Sequence, residues 1–160
     1  MASLEEISLR YRLFFKAYRW RRIDPVPWTP LGRPLPECRL ALVSSAGLAA
    51  PGQEPFDRER KGGDPTFREV PAATPAAVLE DHHRSESYDH SGIRRDPNLA
   101  FPLDRVRELA QQGRIGSVAP RHLSFMGSVT APGRLVRDHA PAAAEVLTRD
   151  EVDVALLVPV

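Results

Sequence analysis

Two serines that follow a short apolar run are the first residues whose types could do chemistry. Residues 38–43, Cys-Arg-Leu-Ala-Leu-Val, form a nearly continuous apolar segment, which is typical of a strand covered on both faces. Ser44 and Ser45 end this run and are followed by Ala46 and Gly47. Small residues at the carboxyl end of a buried strand let a ligand approach the backbone, and α/β folds bind ligands at that edge. We predict that Ser44 and Ser45 border a pocket; the alternative is a tight turn that requires small residues.

A second polar group lies at positions 82–90 and contains three histidines. His82, His83, Asp89 and His90 could supply metal ligands, but the adjacent histidines point in different directions and no second cluster has a zinc spacing. The sequence therefore predicts no metal site. A hydrolase triad is also not expected, because triad residues are not adjacent in sequence and no Gly-x-Ser-x-Gly turn is present. We interpret the segment as an ordered surface loop and keep Asp89 and His90 as candidate pocket residues.

Arg121 and His122 form a third candidate pair, directly after Pro120. The proline favours a loop at this point. In a loop, this pair could bind a carboxylate or protonate a leaving amine. The alternative is a histidine that hydrogen-bonds the loop to the core.

The helices that would position these residues can be recognised from their apolar periodicity. Leu103, Val106 and Leu109 recur at three-residue spacing after Pro102, and Gly113 follows as a stop signal. This pattern predicts a helix over residues 102–113. A second helix is expected to begin at Pro141 and to end around residues 148–150.

The last segment, at residues 152–160, is rich in valine and leucine and predicts a buried parallel strand. A short strand is also expected at residues 66–70. A helix followed by a buried strand is half of a crossover unit. We therefore predict an α/β fold with a mainly parallel sheet, flanking helices and Rossmann-like crossover units. The sheet is expected to be incomplete at the C-terminus, because a central strand there needs further cover.

The amino-terminal part of the chain has a different composition. Apolar residues at three- and four-residue spacing predict a helix over residues 3–22, and six basic residues lie between Arg10 and Arg22. This basic face is interpreted as solvated, with a membrane or an acidic partner as the alternatives. The predicted organisation is a basic helix at residues 1–24, a proline-rich linker at residues 25–37 and an α/β domain at residues 38–160.

Composition restricts the class of partner. The 22 basic and 21 acidic residues nearly cancel, so no overall field favours nucleic acid, and no apolar run reaches the ~18 residues of a membrane span. Cys38 is the only cysteine and cannot form an internal disulfide. At the start of a buried strand it is expected to be packed and inert. These features, with no secretory leader pattern, favour a cytoplasmic protein whose partners are small molecules or proteins.

Four segments of the chain, taken in order, carry a family resemblance. They are residues 39–47, residues 63–71, residues 101–109, Phe-Pro-Leu-Asp-Arg-Val-Arg-Glu-Leu, and residues 115–127, Ile-Gly-Ser-Val-Ala-Pro-Arg-His-Leu-Ser-Phe-Met-Gly. These segments resemble the selenoprotein B family of glycine, sarcosine, betaine and D-proline reductases. The first is similar to the first strand and turn of that family, and the last two are the closest likenesses. A shared order of four blocks is far more specific than one short motif.

The resemblance implies a selenocysteine, or a cysteine in its place, directly after the strand at residues 152–160. It implies that this residue attacks the α-carbon of an amino-acid or amine substrate and that a carbon–nitrogen bond is cleaved. It also implies a partner protein that carries a pyruvoyl group and a thiol-based supply of electrons. No family nucleophile matches any of the 160 residues, so this chain is expected to be inactive by itself. Selenocysteine is encoded by UGA, which ordinary translation reads as a stop codon. One hypothesis is therefore that the open reading frame was read as ending at such a codon, directly after Val160.

A complete small protein that keeps the fold as a non-catalytic binding or regulatory module is the competing hypothesis. The basic amino-terminal helix would then engage a partner. A monomeric, soluble chain that melts cooperatively would favour the module. Aggregation or a molten state would favour a partial reductase domain.

Overall fold

A five-stranded mixed sheet, mostly parallel, organises the unit Leu31–Val160. The computed structural model describes residues 8–18 and 22–160, which belong to this unit and to a smaller one, Met1–Pro30. The strands are β1 (Arg39–Ser44), β2 (Leu48–Ala49), β3 (Phe67–Pro71), β4 (Glu80–Asp81), β5 (Ser117–Val118), β6 (Arg121–Phe125) and β7 (Val154–Val158). The helices are α1 (Leu9–Ala17), α2 (His90–Arg95), α3 (Leu103–Gln111) and α4 (Ala140–Arg149), with one π-helical segment, Leu135–His139, before α4. Single turns of 3₁₀ helix lie at Leu35–Glu37, Ala76–Val78 and Pro97–Leu99.

The smaller unit contains α1, which confirms a helix within the predicted range of residues 3–22. The described helix is shorter than predicted and ends at Ala17, because Tyr18 adopts an extended conformation with ψ 124°. Residues 1–7 and 19–21 of the predicted helix lie outside the described residues. The predicted division into residues 1–24, 25–37 and 38–160 stays a prediction.

β1 lies at the centre of the sheet. β7 pairs with it in parallel from Leu40 to Ser44 and so occupies one edge of β1. The other edge is shared: β5 pairs in parallel with the first two residues of β1, and β6 with the last two. β3 then pairs antiparallel with β6. The predicted α/β fold with a mostly parallel sheet is confirmed, and β3 makes the sheet mixed.

Helices cover both faces of this sheet. Leu40 and Leu42 of β1 point into a cluster with α3, whereas Val43 packs against a second cluster with α4. Successive side chains of a strand point to opposite faces, so the two clusters lie on opposite sides of the sheet. The buried members that define them are Leu42, Leu48, Phe101, Leu103 and Val106 on one side and Leu123, Ala143 and Val146 on the other.

Helix α3 confirms the prediction at residues 102–113. Its apolar stripe buries Leu103 and Val106, each of which contributes about 1.5–3 kcal/mol on burial. Gly113 ends the helix with φ 67°, and the Gly113 and Arg114 amides donate to the carbonyls of Ala110 and Leu109. This Schellman arrangement requires a left-handed residue, which glycine supplies without strain. The second predicted helix, from Pro141, is confirmed as α4.

The structure contradicts the loop predicted after Pro120. Residues 121–125 form β6, a strand with three consecutive buried residues, His122, Leu123 and Ser124. Pro120 itself lies in the break between β5 and β6, where its carbonyl accepts a hydrogen bond of 2.8 Å from the amide of Ala72. A proline in such a break leaves the following strand intact, because only its own N–H is missing from the ladder.

The terminal strand is confirmed as β7, but its predicted burial on both faces is wrong for the described residues. Leu156 and Leu157 are 42% and 67% exposed, although Val154 and Val158 pack against the main core. The segment at residues 82–90 also differs in part from the predicted loop. Its last residue, His90, begins α2.

Candidate functional site

The carboxyl ends of three parallel strands surround an open apolar cleft of about 570 Å³. β1, β6 and β7 all end at this edge, and the π-helical segment before α4 forms the far wall. We call this cavity the apolar cleft. It is lined by Val43, Ser44, Ser45, Phe125, Met126, Gly127, Ser128, Val129, Leu135, Val136, Ala140, Leu157, Val158, Pro159 and Val160. Open α/β sheets bind ligands outside the carboxyl ends of their strands, so this edge is where a small molecule is expected.

Both predicted serines border the apolar cleft, but their hydroxyls have different partners. The buried Ser44 Oγ donates to the carbonyl of Ala100 at 2.7 Å and accepts from the amide of Ala46 at 3.1 Å. It therefore holds the turn after β1 against the core. The half-buried Ser45 Oγ accepts from the amide of Val160 at 2.9 Å and contacts its carbonyl at 3.3 Å. Ser45 thus fixes the backbone of Val160 at the rim of the cleft.

A buried imidazole lies directly behind the wall of the apolar cleft. A Cβ atom on Gly127 would lie 2.5 Å from His83 Nε2 and 2.9 Å from the carbonyl oxygen of Ser45. Only glycine allows this approach of the wall to the ring. His83 Nδ1 accepts from the amide of Ser85 at 3.2 Å, so the ring proton is on Nε2. Nε2 is buried and has no hydrogen-bond partner among the described residues.

His83 belongs to a cluster of rings with one carboxylate. Its ring stacks on Tyr88 with centroids 4.2 Å apart, and Tyr88 contacts His90 edge to face at 5.0 Å. His90 Nδ1 lies 2.5 Å from an oxygen of Asp81, and His90 Nε2 lies 3.1 Å from the carbonyl of Ser85. Each ring nitrogen of His90 thus contacts an oxygen atom, one from a side chain and one from the backbone.

Burial and charge set the protonation of the other two rings. Burial lowers the pKa of His83, and the positive charge of His90 lowers it further, against the opposing effect of Asp81. Burial, then the negative charges of Asp81 and Asp89, raise the pKa of Tyr88 above its ordinary value. His83 is therefore neutral and Tyr88 is a neutral phenol at pH 7. His83 Nε2, behind the cleft wall, and the Tyr88 hydroxyl are thus two buried donors with no hydrogen-bond partner among the described residues.

Asp89 has a local role in the structure. It is exposed and occupies the N-cap of α2, where its carboxylate accepts from the amide of Gly92 at 2.9 Å and from the hydroxyl of Ser91 at 2.9 Å. The Gly92 and Ser91 hydrogen bonds lower the pKa of Asp89. N-cap carboxylates of this kind stabilise a helix start. The neighbour His90, rather than Asp89, contacts the ring cluster.

Arg121 lies at the amino end of β6, at the edge of the sheet opposite to the apolar cleft. Its guanidinium binds both oxygens of Asp150 at 2.7 and 2.8 Å and an oxygen of Glu69 at 2.7 Å. The hydrogen bonds to Asp150 and then Glu69 raise the pKa of Arg121. Arg121 thus binds two carboxylates of its own chain and joins β6 to β3 and to the end of α4.

His122 is fully buried inside the sheet. Its Nδ1 accepts from the amide of Leu42 at 3.0 Å. This contact falls between the part of β1 that pairs with β5 and the part that pairs with β6. The imidazole therefore accepts the hydrogen bond of a backbone amide where β1 is not paired with either strand. Burial lowers the pKa of His122 to about 4, with a smaller effect of Arg107 in the same direction. The structure brings Ser44, Ser45 and, through the ring cluster, His90 to the carboxyl edge, but leaves Arg121 and His122 away from the cleft.

Sequence reasoning missed His83 as a neighbour of the cleft. The signal was Gly127, two residues after the end of β6, because a glycine near a strand end often marks a close approach of another group. Cys38 is buried at the start of β1 and its Sγ lies 3.4 Å from the carbonyl of Pro34. Within residues 8–18 and 22–160, no group of three His, Cys, Asp or Glu side chains could hold a metal ion. In the same ranges, no helix is long and apolar enough to cross a membrane.

The fold and the cleft define a class of protein, an α/β domain with a small-molecule-sized apolar cleft at the carboxyl edge of its sheet. The chain belongs to the glycine/sarcosine/betaine reductase selenoprotein B family, whose model matches residues 8–159. This confirms the family resemblance that the sequence blocks predicted. No solved structure matches the chain.

Three curated relatives are subunits of reductases. The chain is 32% identical over 136 residues to the D-proline reductase subunit gamma of Acetoanaerobium sticklandii, covering 84% of the chain and 54% of the relative. It is 27% identical to the sarcosine reductase complex component B subunit beta of Peptoclostridium acidaminophilum, covering 84% and 30%. It is also 27% identical to the glycine reductase complex component B subunit gamma of Symbiobacterium thermophilum, covering 88% and 32%. The chain therefore spans about half of the first relative and about a third of the other two.

Proposed function

We propose that the chain is the scaffold of a reductase component that cleaves a carbon–nitrogen bond in an amino acid or amine of the glycine, betaine, sarcosine or D-proline class. The match to the selenoprotein B family across residues 8–159 carries this proposal. The names of the three relatives, each a reductase subunit, support it. A reductase complex implies partner subunits, and we propose that one of them carries a pyruvoyl group.

The nucleophile is proposed to be a selenocysteine or cysteine that follows Val160 in the complete protein. A selenol or thiol there would supply the attacking anion, and a thiol donor would supply the electron pair for the cleavage. The residues of this chain fit such a group. Ser45 holds both backbone groups of Val160, so it would fix the direction in which the next residue enters the cleft. The apolar lining would exclude water from the reacting carbon.

The same proposal covers the rest of the sheet and the location of the protein in the cell. Leu156 and Leu157 of β7 are exposed, and the relatives are longer than this chain, so we propose that Rossmann-like crossover units continue the sheet beyond β7 in the complete protein. The single cysteine is buried and forms no disulfide, which supports a cytoplasmic location.

The proposal is tested first by the nucleotide sequence after the Val160 codon. A UGA or cysteine codon followed by coding sequence for a helix is expected. A stop codon other than UGA, or a UGA with no helix-coding sequence after it, would refute the proposed nucleophile.

The second test is activity of the complete protein with its partner subunits. Cleavage of the carbon–nitrogen bond is measured with a dithiol as reductant, as ammonia or amine released from glycine, sarcosine and betaine and as the ring-opened amino acid formed from D-proline. Replacement of the residue after Val160 by alanine should abolish this cleavage, and Ser45→Ala should lower kcat with little change in the unfolding midpoint. Ser128→Ala is the matched control, because Ser128 is an exposed residue of the same cleft.

A non-catalytic binding or regulatory module is the second candidate function. One observation favours it: the lining of the apolar cleft contains no thiol, carboxylate or imidazole within the described residues. A 160-residue chain that is monomeric and melts in one cooperative transition would support this reading. Carbon–nitrogen cleavage that depends on the residue after Val160 would exclude it.

A further inference from the structure

A second cleft, of about 630 Å³, lies between the turn at residues 60–65 and the start of the helical segment at residues 132–137. We call it the basic cleft. Its charged lining consists of Arg60, Lys61, Arg134 and Arg137, and no aspartate or glutamate lines it. The chain as a whole has a net charge of only +1, so positive charge is concentrated at this place.

The two walls of the basic cleft are held in fixed positions. The amide of Ala131 donates to the carbonyl of Gly62 at 3.0 Å. A Cβ on Gly63 would lie 2.8 Å from the Cα of Val129, so the two segments approach as closely as glycine allows. Gly62 and Gly63 have φ values of 86° and 92°, a conformation that other residues rarely adopt. The cations of the two walls therefore face a preformed opening.

Two of the four cations in the basic cleft, Arg60 and Lys61, have no acidic partner among the described residues, and Arg134 is attracted by the charge of Asp138 without a direct ion pair. Arg137 is neutralised by Asp138, whose two oxygens accept at 2.8 Å each. Within the part of the chain that the structure describes, no carboxylate lies within 4.0 Å of Arg60, Lys61 or Arg134. An anionic partner would relieve the repulsion among these charges and would be attracted to them.

The exposure of these side chains decides between a small anion and a larger partner. Lys61 and Arg134 are exposed and Arg60 is half-buried. An exposed ion pair contributes only about 0–1 kcal/mol, so a single carboxylate or phosphate would be held weakly. Several carboxylates on one surface would contact the cations together and gain from effective concentration.

The basic cleft also adjoins the apolar cleft. Ser128 and Val129 line the apolar cleft, and Ala131, two residues later, lines the basic one. A protein seated on the basic cleft would therefore lie beside the entrance of the apolar cleft. We propose that the basic cleft docks a carboxylate-rich surface of a partner protein and so orients that partner at the proposed substrate site. This inference rests on the proposed function for the identity of the site, but docking is measured without any turnover.

The test uses the complete protein that contains this chain and a fluorescein-labelled decaglutamate peptide, with binding followed by fluorescence anisotropy at low salt. The cleft variant is the double substitution Lys61→Glu and Arg134→Glu. Glutamate at position 134 lies in the first helical turn, where a negative charge is favourable, so the fold should be preserved. We expect peptide binding to weaken by about tenfold or more, with circular dichroism and the thermal midpoint unchanged.

The matched control is Arg105→Glu with Arg114→Glu, which makes the same change in net charge. Both residues are exposed, position 105 lies in the first turn of α3, and α3 covers the face of the sheet opposite to α4. This control should retain peptide affinity within about twofold at matched salt, with a small loss from long-range charge. Equal losses in the two double variants would overturn the proposal.

Two competitors identify the class of anion. If orthophosphate at about 10 mM displaces the peptide while sodium chloride of equal ionic strength does not, the cleft is a small-anion site and the docking proposal is wrong. If single-stranded DNA of equal charge binds more tightly than the peptide and the cleft variant loses it, the partner is a nucleic acid and the proposal is also wrong. Preference for the peptide, lost in the cleft variant alone, supports docking of an acidic protein. That result would stand even if the complete protein cleaved no carbon–nitrogen bond, so failure of docking and failure of the proposed function are separate outcomes.

Discussion

The buried His122 predicts a specific loss of stability in mild acid. We expect the substitution His122→Asn to remove that loss while keeping the hydrogen bond, because an asparagine Oδ1 can take the position of Nδ1 and accept from Leu42. The variant should be less stable than the wild type at neutral pH, since the smaller side chain leaves a cavity beside Phe101. The informative quantity is how that difference changes with pH.

The size of the change follows from two pKa values. His122 has a pKa of about 4 in the folded chain against an ordinary value of 6.5. The folded value is the lower one, so the unfolded chain binds the proton more tightly and acid favours unfolding. The stability contribution of the neutral ring is complete above pH 6.5 and is lost as the pH falls towards 4. Between about pH 7.5 and about pH 4.5 the wild type should lose about 2–3 kcal/mol through this residue.

Urea unfolding at several pH values measures this effect. The free energy of unfolding is determined for wild type and His122→Asn at about pH 7.5, 6.5, 5.5 and 4.5. Carboxylates and the other histidines titrate in both proteins, so their contributions cancel in the difference. We expect the advantage of the wild type to shrink by about 2–3 kcal/mol across the series. Two parallel curves would refute the assignment of His122 as a buried neutral ring.

Two further substitutions test the cleft wall and the opposite edge of the sheet. Gly127→Ala should destabilise the chain by about 1–3 kcal/mol, because the new methyl group meets His83 Nε2. The control Gly133→Ala, whose methyl group would have no atom within 4 Å, should be neutral or stabilising by up to about 1 kcal/mol. Equal shifts of the thermal midpoint in the two variants would contradict the close contact. Arg121→Gln should lower the urea midpoint at neutral pH because it leaves a buried carboxylate at the end of α4 without its partner, and Arg149→Gln should not. The Arg121 hydrogen bond lowers the pKa of Asp150 in the folded chain, so the difference between the two arginine variants should shrink as the pH falls below the ordinary aspartate value of 3.8. A difference that is unchanged in acid would contradict this origin.

Much of the fold could be predicted from local patterns. β1 and β7 were recognised as apolar runs, and α3 from its periodicity with Pro102 before it and Gly113 after it. These signals are local, because a run, a spacing or a capping residue is complete within about ten positions. The family followed from four blocks in order. The pocket position of Ser44 and Ser45 followed from the general rule for strand ends, and their use by a ligand stays a prediction.

The environments of Arg121 and His122 could not be predicted from the sequence. The partners of Arg121, Glu69 and Asp150, are 52 and 29 positions away, so no local spacing indicates that its charge is already compensated. His122 depends on the interruption between β5 and β6, which appears only when both strands pair with β1. The loop prediction is wrong because Pro120 does not disturb the residues after it. Its effect in the structure is confined to the break.

The two edges of the sheet divide stability and proposed function between them. At the amino edge, Arg121 and Arg39 bind the carboxylate and the carbonyl of Asp150, so charged groups fasten the end of α4 to two strands. At the carboxyl edge the cleft is apolar, and Ser45 with Val160 supplies one of its few polar contacts. Loss of Arg121 should therefore lower the free energy of unfolding whether or not substrate is present. Loss of Ser45 should instead lower only the rate at which bound substrate is converted. Activity that falls in parallel with stability for both variants would mean that the carboxyl edge is structural as well, and the reductase site would then have to lie elsewhere in the complete protein.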